Sequence, residues 1–389
     1  HSLIARSFFQ IVLVIFLHEL YFEWYRRKGR RRQPKRRRLL NWLPTVFMLI
    51  FTIYLAANSN FIPDDMRIIF TYLLLFGLYV MPKALYALCS LIGLGWRHLT
   101  HSRYNWGNLM AFFLVLVFWY IIIYGSTLGP RKFEVKHVDL YFKDLPDSFE
   151  GYKIVQFTDV HAGSFIGNDN NLLQRAFDSI NAQKPDLIAF TGDLQNLRPQ
   201  EIYPIQDMLT GLKAADGVVS VLGNHDYSEY IDEDPVIEAA NCRETISRQR
   251  QCGWQLLLNE HTAIHRGKDS IVIAGEENLE KPARADFAKT MHNVGKGAFV
   301  VMLQHNPRAW DKYIKPSNRV QLTLSGHVHG GQLALFGFHP ASLTYKQCCG
   351  LYEEDNKALY VSAGIGGVIP FRFGVSPEIV VITLHKTQP

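Results

Sequence analysis

Carboxylates are nearly missing from the first third of this chain. Residues 1–130 hold only Glu19, Glu23, Asp64 and Asp65, against 15 Lys and Arg. The rest carries 26 basic and 31 acidic side chains, so the net charge of +6 divides into +11 and −5. That division excludes a nucleic-acid partner, whose binding domain would itself carry the basic surface that neutralises phosphates. Cysteine is scarce as well, five in 389 residues, and none is spaced as in a zinc knuckle. With 48% hydrophobic residues, unevenly placed, the chain is not of the disordered class, and it is too long for one small domain.

Apolar sequence is what the first third has in abundance. Four stretches, roughly Ser7–Trp24, Leu39–Ala57, Ile68–Leu88 and Leu109–Ser126, reach the roughly 20 residues that cross a bilayer. His18 and Glu19 interrupt the first, and Pro82 and Lys83 near the end of the third predict a kink and a snorkelling lysine. Between spans one and two lie Arg26, Arg27, Lys28, Arg30, Arg31, Arg32, Lys35, Arg36, Arg37 and Arg38. Such a cluster beside apolar spans faces the cytoplasm and is suited to anionic headgroups. Asp64 and Asp65 then lie outside, and Arg97 and Arg103 inside. Four spans return the chain to the outer side, so the part from residue 131 onward is expected to be extracytoplasmic, periplasmic or extracellular. In that compartment Cys242 and Cys252 are candidates for a disulfide, with free buried thiols the alternative. Cys348 and Cys349 are adjacent, and adjacent cysteines rarely pair.

From Phe133 the pattern changes to short β-rich runs separated by polar stretches. Val135–Tyr141, Tyr152–Thr158, Asp186–Thr191, Gly217–Val221, Ser270–Ala274, Phe299–Gln304, Val320–Ser325, Ala358–Ser362 and Glu378–Leu384 read as strands. Leu172–Gln183 reads as a helix with Leu172, Leu173, Ala176, Phe177 and Ile180 on one face. Strands alternating with helices predict an α/β layered sandwich.

The polar clusters fall where these strands end: Asp159-Val-His161, Gly192-Asp193, Gly223-Asn224-His225-Asp226, Gln304-His305 and Gly326-His327-Val-His329. Loops at strand ends are where a rigid scaffold presents chemistry. The donors are aspartate, asparagine and imidazole with no thiolate, a mixture suited to borderline divalent ions such as Mn, Fe, Zn or Co.

In kind and order these pieces resemble the calcineurin-like metallophosphoesterase superfamily, over about residues 150–384. The stretch Gly326-His-Val-His-Gly-Gly-Gln332, with Gly364–Arg372, is most similar to its membrane-associated bacterial subgroup. The resemblance implies an α/β sandwich of two central mixed sheets flanked by helices over residues 131–389, preceded by a four-helix transmembrane domain over 1–130. It also implies two divalent metal ions, with Mn favoured. Asp159, His161 and His329 would hold the first, Asn224, His305 and His327 the second, and Asp193 would bridge them. His225 would stand beside the substrate phosphate, and Asp226 would orient it through a hydrogen bond.

The expected chemistry is hydrolysis of a phosphodiester, pyrophosphate or phosphomonoester. Two ions about 3.5–4 Å apart hold a bridging hydroxide at neutral pH and clamp the phosphoryl oxygens. Neutral Asn224 leaves the second ion more electrophilic than a carboxylate would. His225, protonated, stabilises developing charge or protonates the leaving alkoxide. Apolar loops near the site, Leu335–Leu351 and Gly364–Phe373, suit a membrane or lipid-linked substrate. Arg372 is a candidate phosphate or headgroup contact, with a structural salt bridge as the alternative, and His339 reads as an ordinary loop histidine. Residues 227–254 read as a lid or a decorated surface. Some relatives hydrolyse the pyrophosphate of a nucleotide-linked acylated sugar in lipid A synthesis, but those lack the histidine that stands here at His225. The alternative functions are hydrolysis of a soluble nucleotide or small phosphoester, with the helices only an anchor, and a non-catalytic metal-binding membrane protein.

Overall fold

The computed structural model describes residues 2–28, 34–58, 63, 65–165 and 170–387. The chain divides between Thr127 and Leu128 into two compact units. Of the residues that set the expected orientation, Arg30, Arg31, Arg32 and Asp64 lie outside the described residues.

The first unit is helical: α1 (Ser2–Lys28), α2 (Lys35–Ala56), α3 (Met66–Leu75), α4 (Met81–Thr100) and α5 (Trp106–Thr127). A π-helical turn over Phe76–Val80 joins α3 to α4, so one 35-residue helix, Met66–Thr100, forms the third candidate span. It is longer than the sequence pattern suggested. The irregular turn stands just before Pro82, which lacks the N–H that a helix would direct to the carbonyl four residues back. That carbonyl belongs to Leu78, and the indole Nε1–H of Trp119 donates to it instead at 2.9 Å. Lys83 does not snorkel as expected. Its ammonium meets the buried Glu19 carboxylate, which also accepts from Arg26 at 2.8 Å and from Thr45 Oγ1 at 3.2 Å. A buried carboxylate without such partners would be costly.

The second unit holds two six-stranded sheets. The first has the order β1 (Glu134–Phe142), β12 (Glu378–Lys386), β2 (Tyr152–Phe157), β3 (Leu187–Phe190), β4 (Val218–Ser220) and β5 (Gln255–Leu256). The second has the order β10 (Gly350–Glu354), β11 (Lys357–Val361), β9 (Leu322–Ser325), β8 (Phe299–Leu303), β7 (Asp269–Gly275) and β6 (Glu260–Arg266). Both are mixed: β2, β3 and β4 run parallel and β12 runs antiparallel to β2, while β7, β8 and β9 run parallel with an antiparallel β6 on β7.

Alternation along the strands decides how the sheets pack. Ile154, Leu187, Ile271, Ile273, Val301 and Leu322 share one buried core, to which both sheets contribute. Their neighbours Val155 and Ile188 turn outward to join Leu173, Phe177 and Ile180 of α6 (Asn170–Ala182), while Val272, Ala274 and Val300 join Trp310 and Ile314 on the far side. A period of two places successive side chains on opposite faces, which yields a two-sheet sandwich with an apolar layer outside each sheet. After α7 (Gln206–Thr210), helix α8 (Pro235–Gln251) occupies most of the stretch between Tyr227 and Trp254.

That helix overturns the disulfide expected between Cys242 and Cys252. Cys242 lies within α8 and Cys252 caps its C-terminus, so ten residues of helix separate them by about 15 Å, far beyond disulfide reach. All five cysteines are free thiols.

Candidate metal centre

The parallel strands β2, β3 and β4 of one sheet and β8 and β9 of the other each end in a residue of the candidate set. Asp159 and His161 follow β2, Asp193 follows β3, Asn224 follows β4, His305 follows β8, and His327 and His329 follow β9. Five of these have left-handed backbones: Asp159 (φ 50°), His161 (φ 48°), Asp193 (φ 59°), His327 (φ 73°) and His329 (φ 53°). Such conformations are strained for residues with a side chain and gather at functional sites. Gly326 lets the β9 loop approach the β2 loop; a Cβ there would overlap the Asp159 carboxylate.

The turns bring the donors into two adjoining cups. In the first, His329 Nε2 stands 3.4 Å and His161 Nε2 3.8 Å from Asp159 Oδ1. In the second, Asn224 Oδ1 stands 3.1 Å from His305 Nε2 and 2.8 Å from His327 Nδ1. Asp193 Oδ2 lies between the cups, 3.6 Å from His161 Nε2 and 3.1 Å from His305 Nε2. The groups Asp159, His161, His329 and Asp193, His305, His327 each bring donor atoms within 4.8 Å of one another.

Neighbouring groups set which atoms face inward. His305 Nδ1 donates to the Thr191 carbonyl at 2.7 Å, which turns Nε2 toward Asp193 and Asn224. Asn224 Nδ2 donates to Tyr230 Oη at 2.9 Å, which turns Oδ1 inward. His327 carries Tyr345 Oη on Nε2 at 3.0 Å. A ring nitrogen held by an outer carbonyl is how a metal-binding histidine is usually oriented.

The residues present fit divalent ions. Among the described residues, neither ring nitrogen of buried His161 has a hydrogen-bond partner, nor has Nδ1 of His329. His305 Nε2 faces two oxygens at 3.1 Å, a contact that requires a proton or a cation. Burial disfavours charge on His305, but Asp193 and Asp159 outweigh it and raise its pKa to about 9. Burial opposes ionisation of Asp159 as well, yet the surrounding histidines hold it below the usual carboxylate range. Asp193, buried in the same way, is held well below that range chiefly by His305 and His225.

Two expected roles are corrected. Asp226 does not bond the His225 ring; its carboxylate accepts the backbone N–H groups of Asp193, Leu194 and Gly223 at 2.8–2.9 Å. Burial and the Asp193 charge push its pKa up to about 7. The His225 ring is held by the Asn196 carbonyl, at 2.6 Å from Nδ1, and stacks on Tyr230 with centroids 4.5 Å apart. Burial lowers the pKa of that ring, against the opposing charge of Asp193. Arg372 is neither a phosphate contact nor half of a salt bridge. Only 2% exposed, it donates to the carbonyls of His329, Ala363, Gly364 and Gly366, and so ties the β9 turn to the loop after β11.

Sequence reading missed Asn196, Glu201 and Tyr230, and placed Tyr345 on an apolar loop without its contact to His327. Glu201 is buried and accepts the N–H groups of Asn196 at 2.5 Å and Leu197 at 2.9 Å, so it braces the loop whose carbonyl holds His225. An acid five residues beyond an asparagine, in a loop, has no periodic signature. The stretch expected as a lid contributes Tyr230 to the site.

Comparison with known proteins bears on this geometry. The model of the family described as "Calcineurin-like phosphoesterase" matches residues 152–331. A second model, described as "Probable Calcineurin-like phosphoesterase, transmembrane domain", matches residues 5–130. An uncharacterized metallophosphoesterase, YkuE of Bacillus subtilis, is 30% identical over 275 residues, 68% of this chain and 90% of that protein. A "transmembrane protein with metallophosphoesterase domain" of Danio rerio is 27% identical over 277 residues, 68% of this chain and 60% of its own length. Among solved structures, a dimetal phosphatase from Danio rerio aligns with 56% of this chain and 88% of its own, at 12% identity and a TM-score of 0.33, too loosely to bear on function. The strand-end donors therefore have a family to explain them: the chain belongs to the calcineurin-like phosphoesterases, which hydrolyse phosphoesters with divalent metal ions, and its apolar helices make it a membrane protein.

Proposed function

We propose that this protein is a two-metal phosphoesterase whose substrate is a lipid-linked phosphodiester, pyrophosphate or phosphomonoester, with Mn²⁺ the favoured ion and the catalytic unit on the extracytoplasmic side. Asp159, His161 and His329 would hold one ion and Asn224, His305 and His327 the other, with the Asp193 carboxylate available to both. The oxygen and imidazole donors support Mn²⁺ or a similar borderline ion, and the charge of the loops between spans supports the orientation.

Two divalent ions, when bound, neutralise the phosphoryl oxygens and activate the attacking water. The chain's own side chains do the rest. Asn224 contributes an oxygen donor without a charge, so less of the ions' positive charge is offset. His225 directs Nε2 into the site because its Nδ1 proton is committed to Asn196; protonating the leaving oxygen requires a second proton on Nε2, which the Asp193 charge favours against the burial of the ring. Asp226 and Glu201 hold the backbone on which Asp193 and Asn196 ride.

The observation that supports a lipid-linked substrate is the exposure of large apolar side chains on the loops tied to the His327–His329 turn. Phe336, Phe338, Leu343 and Ile369 are all exposed. One of these loops reaches the site through Tyr345, and the other is held to the turn by Gln332, whose side chain donates to the Ile369 and Phe371 carbonyls. Apolar residues so placed are suited to an acyl or prenyl chain next to the phosphate.

The test is hydrolysis by the detergent-solubilised protein with Mn²⁺, comparing a small soluble diester, a soluble monoester and lipid-linked phosphates, with Asn224→Ala as the blank. Turnover confined to lipid-linked substrates is expected. Equal or better turnover of the soluble esters would overturn the lipid assignment and reduce the helices to an anchor.

A further inference from the structure

A second group of metal-ligating side chains lies outside the centre already described. His339, Cys348 and Cys349 bring one nitrogen and two sulfurs within 4.8 Å of one another. The sulfurs are 3.8 Å apart, and Cys349 Sγ is 3.6 Å from His339 Nε2 and 3.8 Å from Nδ1. A tetrahedral ion at ordinary zinc bond lengths would hold two sulfurs about 3.8 Å apart and a sulfur and a nitrogen about 3.5 Å apart.

The imidazole is oriented for that role. His339 Nδ1 is 2.9 Å from the Gly330 carbonyl. A carbonyl accepts only, so Nδ1 carries the proton and Nε2 the lone pair, the tautomer in which a histidine binds a metal through Nε2. Cys348 is buried, Cys349 and His339 half-buried, which leaves an open side for a water. Burial, Cys348 and Glu378 push the Cys349 thiol up to about 12 against the Lys136 ammonium, so its proton leaves only in exchange for a bound cation.

We infer that His339, Cys348 and Cys349 form a third metal site, for a thiophilic ion such as Zn²⁺, with a water completing the tetrahedron. Binding replaces the two thiol protons, which pass to solvent, and involves no change of oxidation state. The donor set separates this site from the main centre: two sulfurs and one imidazole select soft ions, whereas the carboxylate, amide and imidazole donors of the main centre do not. An ion here joins the two ends of the segment 339–349. That segment carries Tyr345, whose hydroxyl meets His327, and its His339 holds the carbonyl next to His329. The ion therefore fixes the loop that borders the catalytic turn.

The test uses the full chain, solubilised, reduced, stripped of metal and titrated with Co²⁺. The main centre has no sulfur donor, so a sulfur-to-cobalt charge-transfer absorption in the near ultraviolet reports this site alone. The absorption is expected in the wild-type protein and in Asn224→Ala, is displaced by Zn²⁺, and is lost in Cys349→Ser and Cys348→Ser. If the cysteine variants fail to fold, alkylation of the wild-type protein decides: Zn²⁺ should protect Cys348 and Cys349, read by peptide mass spectrometry, and leave other accessible thiols unprotected. Cobalt uptake with no charge-transfer absorption, absorption that survives Cys349→Ser, or no protection by Zn²⁺ would each overturn the site. So would a Cys348–Cys349 disulfide in the purified protein that reductant does not open to the metal.

Discussion

The Nδ1 of His225 lies 2.6 Å from the backbone carbonyl of Asn196, so the ring is held by main chain and not by the aspartate next to it in sequence. The free atom is Nε2, aimed at the site. His225→Ala is expected to lower turnover by about 10²–10⁴, the range for loss of a proton-transfer group, while metal content stays near wild type. Its donor atoms also come within 4.8 Å of those of His161 and Asp193, so metal analysis of the variant matters as much as its rate. Equal loss of both would make His225 a ligand.

Asp226 makes a contrasting prediction. Because its oxygens accept four buried backbone N–H groups, Asp226→Asn turns an amide N–H₂ toward at least one of them. The expected cost is about 1–3 kcal/mol of stability, together with weaker metal binding as Asp193 shifts. Thermal melts with and without Mn²⁺ measure both. A variant that melts normally and changes only the pH profile of turnover would restore the aspartate to a role on the His225 ring.

Glu276, a carboxyl outside the candidate ligand set, supplies a pH dependence of its own. Burial pushes its carboxyl up to about 7, against hydrogen bonds from Tyr313 and Gln304, and among the described residues Oε1 has no hydrogen-bond partner. The folded pKa lies above the unfolded one, near 4.5. The contribution is therefore full below about 4.5 and is lost as pH rises through about 7. The loss is on the order of 3 kcal/mol between pH 4.5 and pH 8. Melting of Glu276→Gln should lack this component; an unchanged pH dependence would remove Glu276 as its source.

Orientation is open to a direct check. A reagent that cannot cross membranes should label a cysteine placed in a tag after Pro389 in intact cells. Labelling only after lysis would place the catalytic unit in the cytoplasm and reverse the reading drawn from the arginine-rich loop.

Much of this protein was legible in the sequence, for reasons that differ by region. The helices of the first unit were visible because an apolar span is contiguous, although the long third helix hides its irregular turn among residues apolar on either side. Nine strands were visible because β-branched and aromatic runs end at glycine or aspartate. The strands β5, β6 and β10 were missed: β5 has two residues, β6 (EHTAIHR) has a single buried side chain and β10 (GLYEE) has none. The candidate donors were visible as a set because each stands at a strand end with its own short signature.

The sequence by itself determined which side chains the molecule has available for chemistry and that they lie at strand ends, since strand period and glycine turns are local properties. Only the tertiary structure decided what each side chain touches. Asp226 turned to main chain, Arg372 to four carbonyls, Lys83 to Glu19, and His339 to a pair of cysteines nine and ten residues on. Cys242 and Cys252, close in sequence, were set apart by a helix. Contacts of this kind join residues whose separation in sequence carries no period. They are settled by the path of the backbone and by the need of each buried polar group for a partner.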